Sequence, residues 1–195
     1  MIDNLELIKG LLHFESEDDF YHLQILKRKK DNPEIGSNSQ VIKTYYVTSV
    51  DYLEEKMFEI RVLCDVNNAR ACINLNKRSF EKIAFHLLKK ISDQIMNKDF
   101  RSVRKAYESV CGEYSSEKNK KFIIDIDGEL DELESVTQFI NFECKPEGNK
   151  IICVLPTKNG CHLITSPFDL KNFKEQFPFI DVHKNNPTIL YIPNR

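Results

Sequence analysis

The sequence predicts an α+β protein: an N-terminal α/β unit (residues 1–111) packed on a C-terminal unit (121–195) whose elements run β-α-β-β-α-β. Three observations carry this class. Short β-branched and aromatic runs alternate with amphipathic stretches of helical period along the whole chain. The polar stretch "GEYSSEKNK" (112–120) separates two such series and reads as a linker. The second series has the order of the split βαβ, the topology of ferredoxin-like and RNA-recognition-motif units. With 195 residues, 41% of them apolar, the two units are expected to share an interface and form one compact domain.

In chain order, "DFYHLQILKR" (19–28) alternates as a strand, "KDNPEIGSNSQ" (30–40) is packed with turn formers, and "VIKTYYVTS" (41–49) is β-branched and aromatic. A hairpin is expected. From Ser49, a candidate cap with Asp51 in the first turn, Tyr52, Leu53, Met57, Ile60, Leu63 and Cys64 fall at helical spacing. That helix should run about four to five turns. "ARACINLN" (69–76) reads as a strand. Phe80, Ile83, Ala84, Leu87, Leu88, Ile91 and Ile95 then form the strongest apolar stripe in the chain, behind Ser79 as N-cap. Phe100, Val103, Tyr107 and Val110 mark a further helix.

The second half reads as "KFIIDID" (strand), "ELDELESVTQFI" (helix), "NKIICVL" and "GCHLIT" (strands), "PFDLKNFKEQF" (a helix opening with Pro167) and "TILYIP" (strand). Split βαβ topology puts its four strands in the order 4-1-3-2, with "TILYIP" as strand 4. The end of the first strand then lies beside the starts of the third and fourth. Asp125, Asp127, His162 and Asp181 are thereby expected at one sheet edge, with both strand aspartates on one face and Phe122, Ile124 and Ile126 on the other.

Lys+Arg (28) nearly cancels Asp+Glu (30), so any nucleic-acid binding must come from a local patch and not from a global basic charge. Candidate patches are "KRKK" (27–30) and "KNKK" (118–121). Six cysteines contain no C-x-x-C pair, which indicates neither a zinc ribbon nor a disulfide framework and fits reduced thiols in a cytoplasm. "MIDNLELIKGLL" is too short and too acidic for a signal peptide, and no apolar run approaches the roughly 18 residues of a membrane span. A cytoplasmic protein without membrane contact is expected.

Two carboxylates held parallel on a strand make a hard oxygen site suited to Mg²⁺ or Mn²⁺, ions that bridge phosphate oxygens. The plainer interpretation of "DIDGELDELE" is an acidic turn and helix start. It accounts for Asp127 better than for Asp125, which interrupts the apolar "FIIDI". In "LPTKNGCHLITSPFDL", Asn159-Gly160 signals a two-residue hairpin, Lys158 lies on the turn and His162 just beyond it. Both are donors suited to a triphosphate.

These motifs resemble those of the archaeo-eukaryotic primase superfamily of primases and primase-polymerases. "FIIDIDG" is similar to its strand-terminal D-x-D, "TKNGCHLI" to its turn-plus-His motif, and Asp181 in "FIDVHK" is the candidate third carboxylate. The resemblance is one of motifs and covers about 120 residues; it implies a catalytic core of an α/β unit packed on an RNA-recognition-motif-like unit. It further implies that Asp125, Asp127 and Asp181 bind divalent ions, and that His162 and Lys158 contact the phosphates of a nucleoside triphosphate. "ACINLNKRSFEK" resembles a strand and Asn-x-Arg turn of plasmid and phage relatives, in which Arg78 would reach a phosphate or template backbone; an exposed helix-start residue is the alternative. The chain departs from the family in having no cysteine-based zinc module and only a short spacing between the first two motifs.

The implied function is a nucleotidyltransferase joining nucleotides on a DNA or RNA template, with recruitment of a replicative helicase left open. The alternative is a non-catalytic nucleic-acid or protein-binding module on a degenerate fold of the same kind. A phosphohydrolase using D-x-D is disfavoured, because such enzymes place the motif in a doubly wound sheet.

Overall fold

The computed structural model describes residues 1–127 and 130–194. Two antiparallel sheets and, among those residues, six α-helices make an α+β fold. After β1 (Ile2–Asp3) and α1 (Leu5–Lys9), the expected hairpin is formed by β2 (Asp19–Arg28) and β3 (Ser39–Val47), paired from Tyr21↔Val47 to Arg28↔Ser39. α2 (Val50–Asn67) starts where Ser49 Oγ accepts the Tyr52 amide at 3.0 Å. It stops at Asn68 in left-handed backbone, φ 52°. Leu53, Met57, Ile60 and Cys64 seat it in the main core.

β4 (Arg70–Asn74) pairs with β2, and the short β5 (Arg78–Ser79) pairs with the start of β2. α3 (Phe80–Met96) has the predicted cap, Ser79 Oγ accepting from the Lys82 amide. Its apolar stripe is mostly uncovered: Ile83 is buried, whereas Leu88 and Ile95 are 67% and 51% exposed. The cause is the size of its seat, since Phe20, Val110 and their neighbours cover only the flank bearing Phe80, Ile83 and Leu87. A 3-10 turn (Ser102–Lys105) leads into α4 (Ala106–Glu113), which is clamped to the first sheet by Glu108. That carboxylate accepts from Tyr46 Oη at 2.6 Å and from Thr44 Oγ1 and Gln24 Nε2 at 3.2 Å, and lies 3.2 Å from Nε2 of the buried His22. The His22 contact, with Tyr46 and Thr44, holds the Glu108 carboxyl down at about 2 against the opposing effect of burial.

The second sheet contains β6 (Phe122–Ile126), β7 (Ile151–Pro156), β8 (Cys161–Thr165) and β9 (Asp181–His183), in the order β7-β8-β6-β9. α5 (Leu130–Phe142) and α6 (Leu170–Gln176) supply its helical cover. α6 opens behind Asp169, whose side chain accepts from the Lys171 amide, and not at Pro167 as the sequence suggested. The larger correction concerns the last strand. β10 (Pro187–Ile192, containing "TILYI") lies in the first sheet, between β1 and β4 in the order β1-β10-β4-β2-β3, and β9 takes the place expected for it beside β6. Physically, residues 188–192 are all buried, and a strand apolar on both faces belongs inside a sheet with cover on each side.

Alternation along β6 divides its side chains as expected. Phe122, Ile124 and Ile126 pack with Val136, Ile140 and Phe173. Ile123 joins Leu155, Ile164 and the first sheet's Leu23, Ile73 and Leu190 in one core, so apolar contact fuses the two sheets. The segment 112–120 expected as a linker starts inside α4, which ends with Gly112 and Glu113, and the chain after it is tied down: Ser116 N donates to Lys77 O at 3.0 Å and Lys121 N to Asn76 Oδ1 at 2.7 Å. Asn76 Nδ2 also donates to Lys121 O and Lys184 O, stitching both inter-unit connections to one loop. No helix among the described residues is long and apolar enough to cross a membrane.

Candidate functional site

On the face of β6 that meets the first sheet, Ile123 is sealed in the shared core and Asp125 and Asp127 follow at the next two positions of the same parity. Within one strand the interface passes from dry to wet. Register fixes the neighbours: Asp125 is directly opposite His162 on β8 and Asp181 on β9. The topology thus brings together the residues the sequence nominated, although the strand beside β6 is β9.

The hairpin bearing His162 is held close to β6 by Gly160. A Cβ there would stand 2.0 Å from Ile126 O and 3.1 Å from Asp127 Cα, so only glycine allows the approach. This differs from the two-residue turn read from Asn159-Gly160: the loop is residues 157–160, closed by Thr157 N donating to Gly160 O at 2.9 Å, with Pro156 opposite Cys161.

His162 is gripped on both sides. Its Nδ1 is hydrogen-bonded to the buried Thr188 Oγ1 of β10 at 2.7 Å, and its Nε2 lies 3.4 Å from Asp125 Oδ1. The ring beside Asp125 holds that carboxyl below the usual carboxylate range; burial opposes the shift, and His183 and Arg28 reinforce it. Asp125 therefore stays ionised, and its orientation is set by a residue anchored in the other sheet.

Between the sheets lies a cleft of about 460 Å³. Asp125, Asp127, His162 and His183 line it from the second sheet, while Arg28, Lys30 and Arg70 line it from the first. Lys158 closes one end by reaching Asp31 Oδ1 at 3.3 Å, and Arg70 holds the same buried carboxylate at 2.6 Å. Among the described residues, the buried Nε of Arg70 has no hydrogen-bond partner, while a terminal nitrogen of the same guanidinium is taken by Asp31. The predicted "KRKK" patch is thereby divided: Arg28 and Lys30 face the cleft, while Lys27 pairs with Glu34 at 2.8 Å. In "KNKK", Lys118 and Lys120 are exposed, and burial lowers the affinity of Lys121 for its proton.

Arg78 does not line this cleft. It is fully buried, with Nε donating to Cys111 O at 2.9 Å, one terminal nitrogen to Asn76 O and the other to Asn185 Oδ1 at 3.1 Å. The exposed helix-start alternative also fails, because the guanidinium is a strut joining α4 to the connection that precedes β10. Arg70 and His183 were missed by sequence reasoning. Neither carries a local signal, since the cleft exists only once the two sheets have docked.

Among the described residues, no three His, Cys, Asp or Glu side chains converge closely enough to enclose a metal ion. The donor set is nonetheless of the right kind for Mg²⁺ or Mn²⁺, which bind through one or two carboxylates and take their remaining oxygens from water and phosphate. Asp125 and Asp127 supply the two carboxylates, and Asp181 stands opposite Asp125 on β9. No protein-family model matches this chain, nor does any curated protein or solved structure.

Proposed function

We propose that the chain is a metal-dependent nucleotidyltransferase of the primase-polymerase kind, acting on nucleoside triphosphates along a DNA or RNA template. The observation that carries this reading is the cleft itself: a carboxylate pair, Asp125 on β6 and Asp127 just past its end, faces Arg28, Lys30 and Arg70, with Lys158 also lining it. Carboxylates alone would repel a triphosphate, and cations alone would bind one without activating it. Their opposition across one cleft suits a nucleotide whose phosphates span the two walls.

Asp125 and Asp127, with Asp181 beside them, would hold Mg²⁺ or Mn²⁺, which when bound neutralises phosphate charge during attack by a 3′-hydroxyl and departure of pyrophosphate. The chain's own contributions are binding and positioning. Arg28, Lys30 and Lys158 grip the phosphates, and Arg70 adds its charge to the cleft wall. His162, fixed by Thr188, fills its second nitrogen's reach with Asp125, which supports a role in orienting that carboxylate ahead of the direct phosphate contact first expected.

The lack of a closed three-residue metal cage among the described residues favours a second reading, a non-catalytic binding module on a degenerate fold. Against it, the sheet face that an RNA-recognition-motif unit would offer to bases is covered at Ile123 and Ile164 by the first sheet.

Calorimetric titration of Mn²⁺ and nucleoside triphosphate into the wild type and the Asp125→Ala, Asp127→Ala double variant separates these readings. Binding lost in a variant that keeps its circular dichroism supports the enzyme. A wild type that binds neither sinks it.

A further inference from the structure

Phe179 is 96% exposed, yet it is not on a loose segment. Phe177, two residues before it, packs against Phe173 and Phe139 with ring centroids 5.2 and 5.4 Å away, and Ile180, directly after it, is buried. Lys174 Nζ donates to Ile180 O at 2.5 Å and pins the turn from the α6 side. The fold therefore presents one aromatic ring to solvent between two anchored neighbours.

That ring forms part of a notch of about 250 Å³, separate from the basic cleft and lined also by Asp125, Asp127, Glu132 and Asp181. Asp125 and Asp127 line both hollows, so they form a ridge between them. The chemistry changes sign across this ridge. On the cleft side, Arg28, Lys30 and Lys158 suit phosphate. On the notch side no Lys or Arg is among the described lining residues, and Glu132, which lies outside the carboxylates assigned to the metal, can accept from the amino and ring N–H groups of nucleobases, next to an apolar ring of the size on which bases stack.

We propose that Phe179 is a stacking platform for a nucleobase, positioned so that the base lies in the notch while phosphates of the bound nucleotide or strand occupy the basic cleft across the Asp125–Asp127 ridge. This rests on the nucleotidyltransferase reading and deepens it by assigning a base-binding side to the same site. The base belongs either to a nucleoside triphosphate or to a single strand.

The chain has no tryptophan, so Phe179→Trp introduces a single indole reporter at the platform. Its emission is followed during titration with MgATP, with magnesium tripolyphosphate and with a single-stranded oligonucleotide; calorimetry runs in parallel on the wild type and Phe179→Ala. The expected result is saturable quenching by MgATP or by the oligonucleotide and none by tripolyphosphate, the quenching arm identifying the source of the base. Phe179→Ala should weaken that ligand by roughly 5- to 150-fold and leave tripolyphosphate unchanged. If the wild type binds MgATP or the oligonucleotide while the indole stays silent and Phe179→Ala binds equally well, the platform is refuted and the nucleotidyltransferase reading stands. If the wild type binds neither, both fall together.

Discussion

Glu108 shows how much a single side chain does outside the candidate site: four side chains of β2 and β3 converge on it, and it is the clamp between α4 and the first sheet. Because its carboxyl is held near 2 in the fold and titrates near 4.3 when unfolded, it contributes stability that is complete above the unfolded value and lost as pH falls toward the folded one. Glu108→Gln should therefore melt below the wild type at pH 7, with the gap closing as pH drops below about 4; a gap that is constant from pH 7 to 2.5 would contradict the account. Gly160 is the second residue with a sharp expectation. Alanine there must push the His162 hairpin off Ile126, so Gly160→Ala should cost about 1–3 kcal/mol in urea unfolding and weaken any ligand of the cleft. Asp125 and His162 were legible in the sequence because each breaks the pattern of its own strand. Arg78 and Glu108 were not, since a charged residue looks the same in sequence whether water or buried carbonyls satisfy it.

At the scale of elements, hydrophobic period located the longer strands and helices but missed the short β1, α1, β5 and β9, and could not say what would cover those it found. α3 is the plainest case: its stripe is the strongest in the chain, yet the neighbours cover only one flank. Leu88→Lys should accordingly change stability by no more than about 0.5 kcal/mol, whereas Ile83→Ala, a smaller chemical change, should cost about 2–4 kcal/mol by denaturant titration. Equal losses at the two positions would mean that the exposed flank is covered in solution. Turn chemistry was read correctly as to place and incorrectly as to kind, because the Asn-Gly signal locates a hairpin while the need for glycine arises from Ile126 O, a neighbour distant in sequence.

For the whole molecule, the informative departure is β10. "TILYI" announces burial on both faces, which fits an inner strand better than the edge position of the order 4-1-3-2, but the sequence does not show that the first sheet has a place for it between β1 and β4. Placed between β1 and β4, it belongs to the first sheet, while its Thr188 orients His162 of the second. Deleting residues 187–194 removes the buried Ile189, Leu190, Tyr191 and Ile192, about 6–12 kcal/mol of apolar burial, comparable with the whole stability of a domain at about 5–15 kcal/mol. The truncated chain should lose its cooperative thermal transition by circular dichroism instead of merely shifting it. A retained sharp transition would mean that the first sheet closes without β10. The placement also sets an order of events on the ribosome: β4 is made long before β10, so the edge of β4 that β10 pairs with has no partner until β10 has been made. The strand that orients His162 is also the one that closes the first sheet, and of the strands in the two sheets it is translated last, so His162 gains its Thr188 partner only when that sheet is complete.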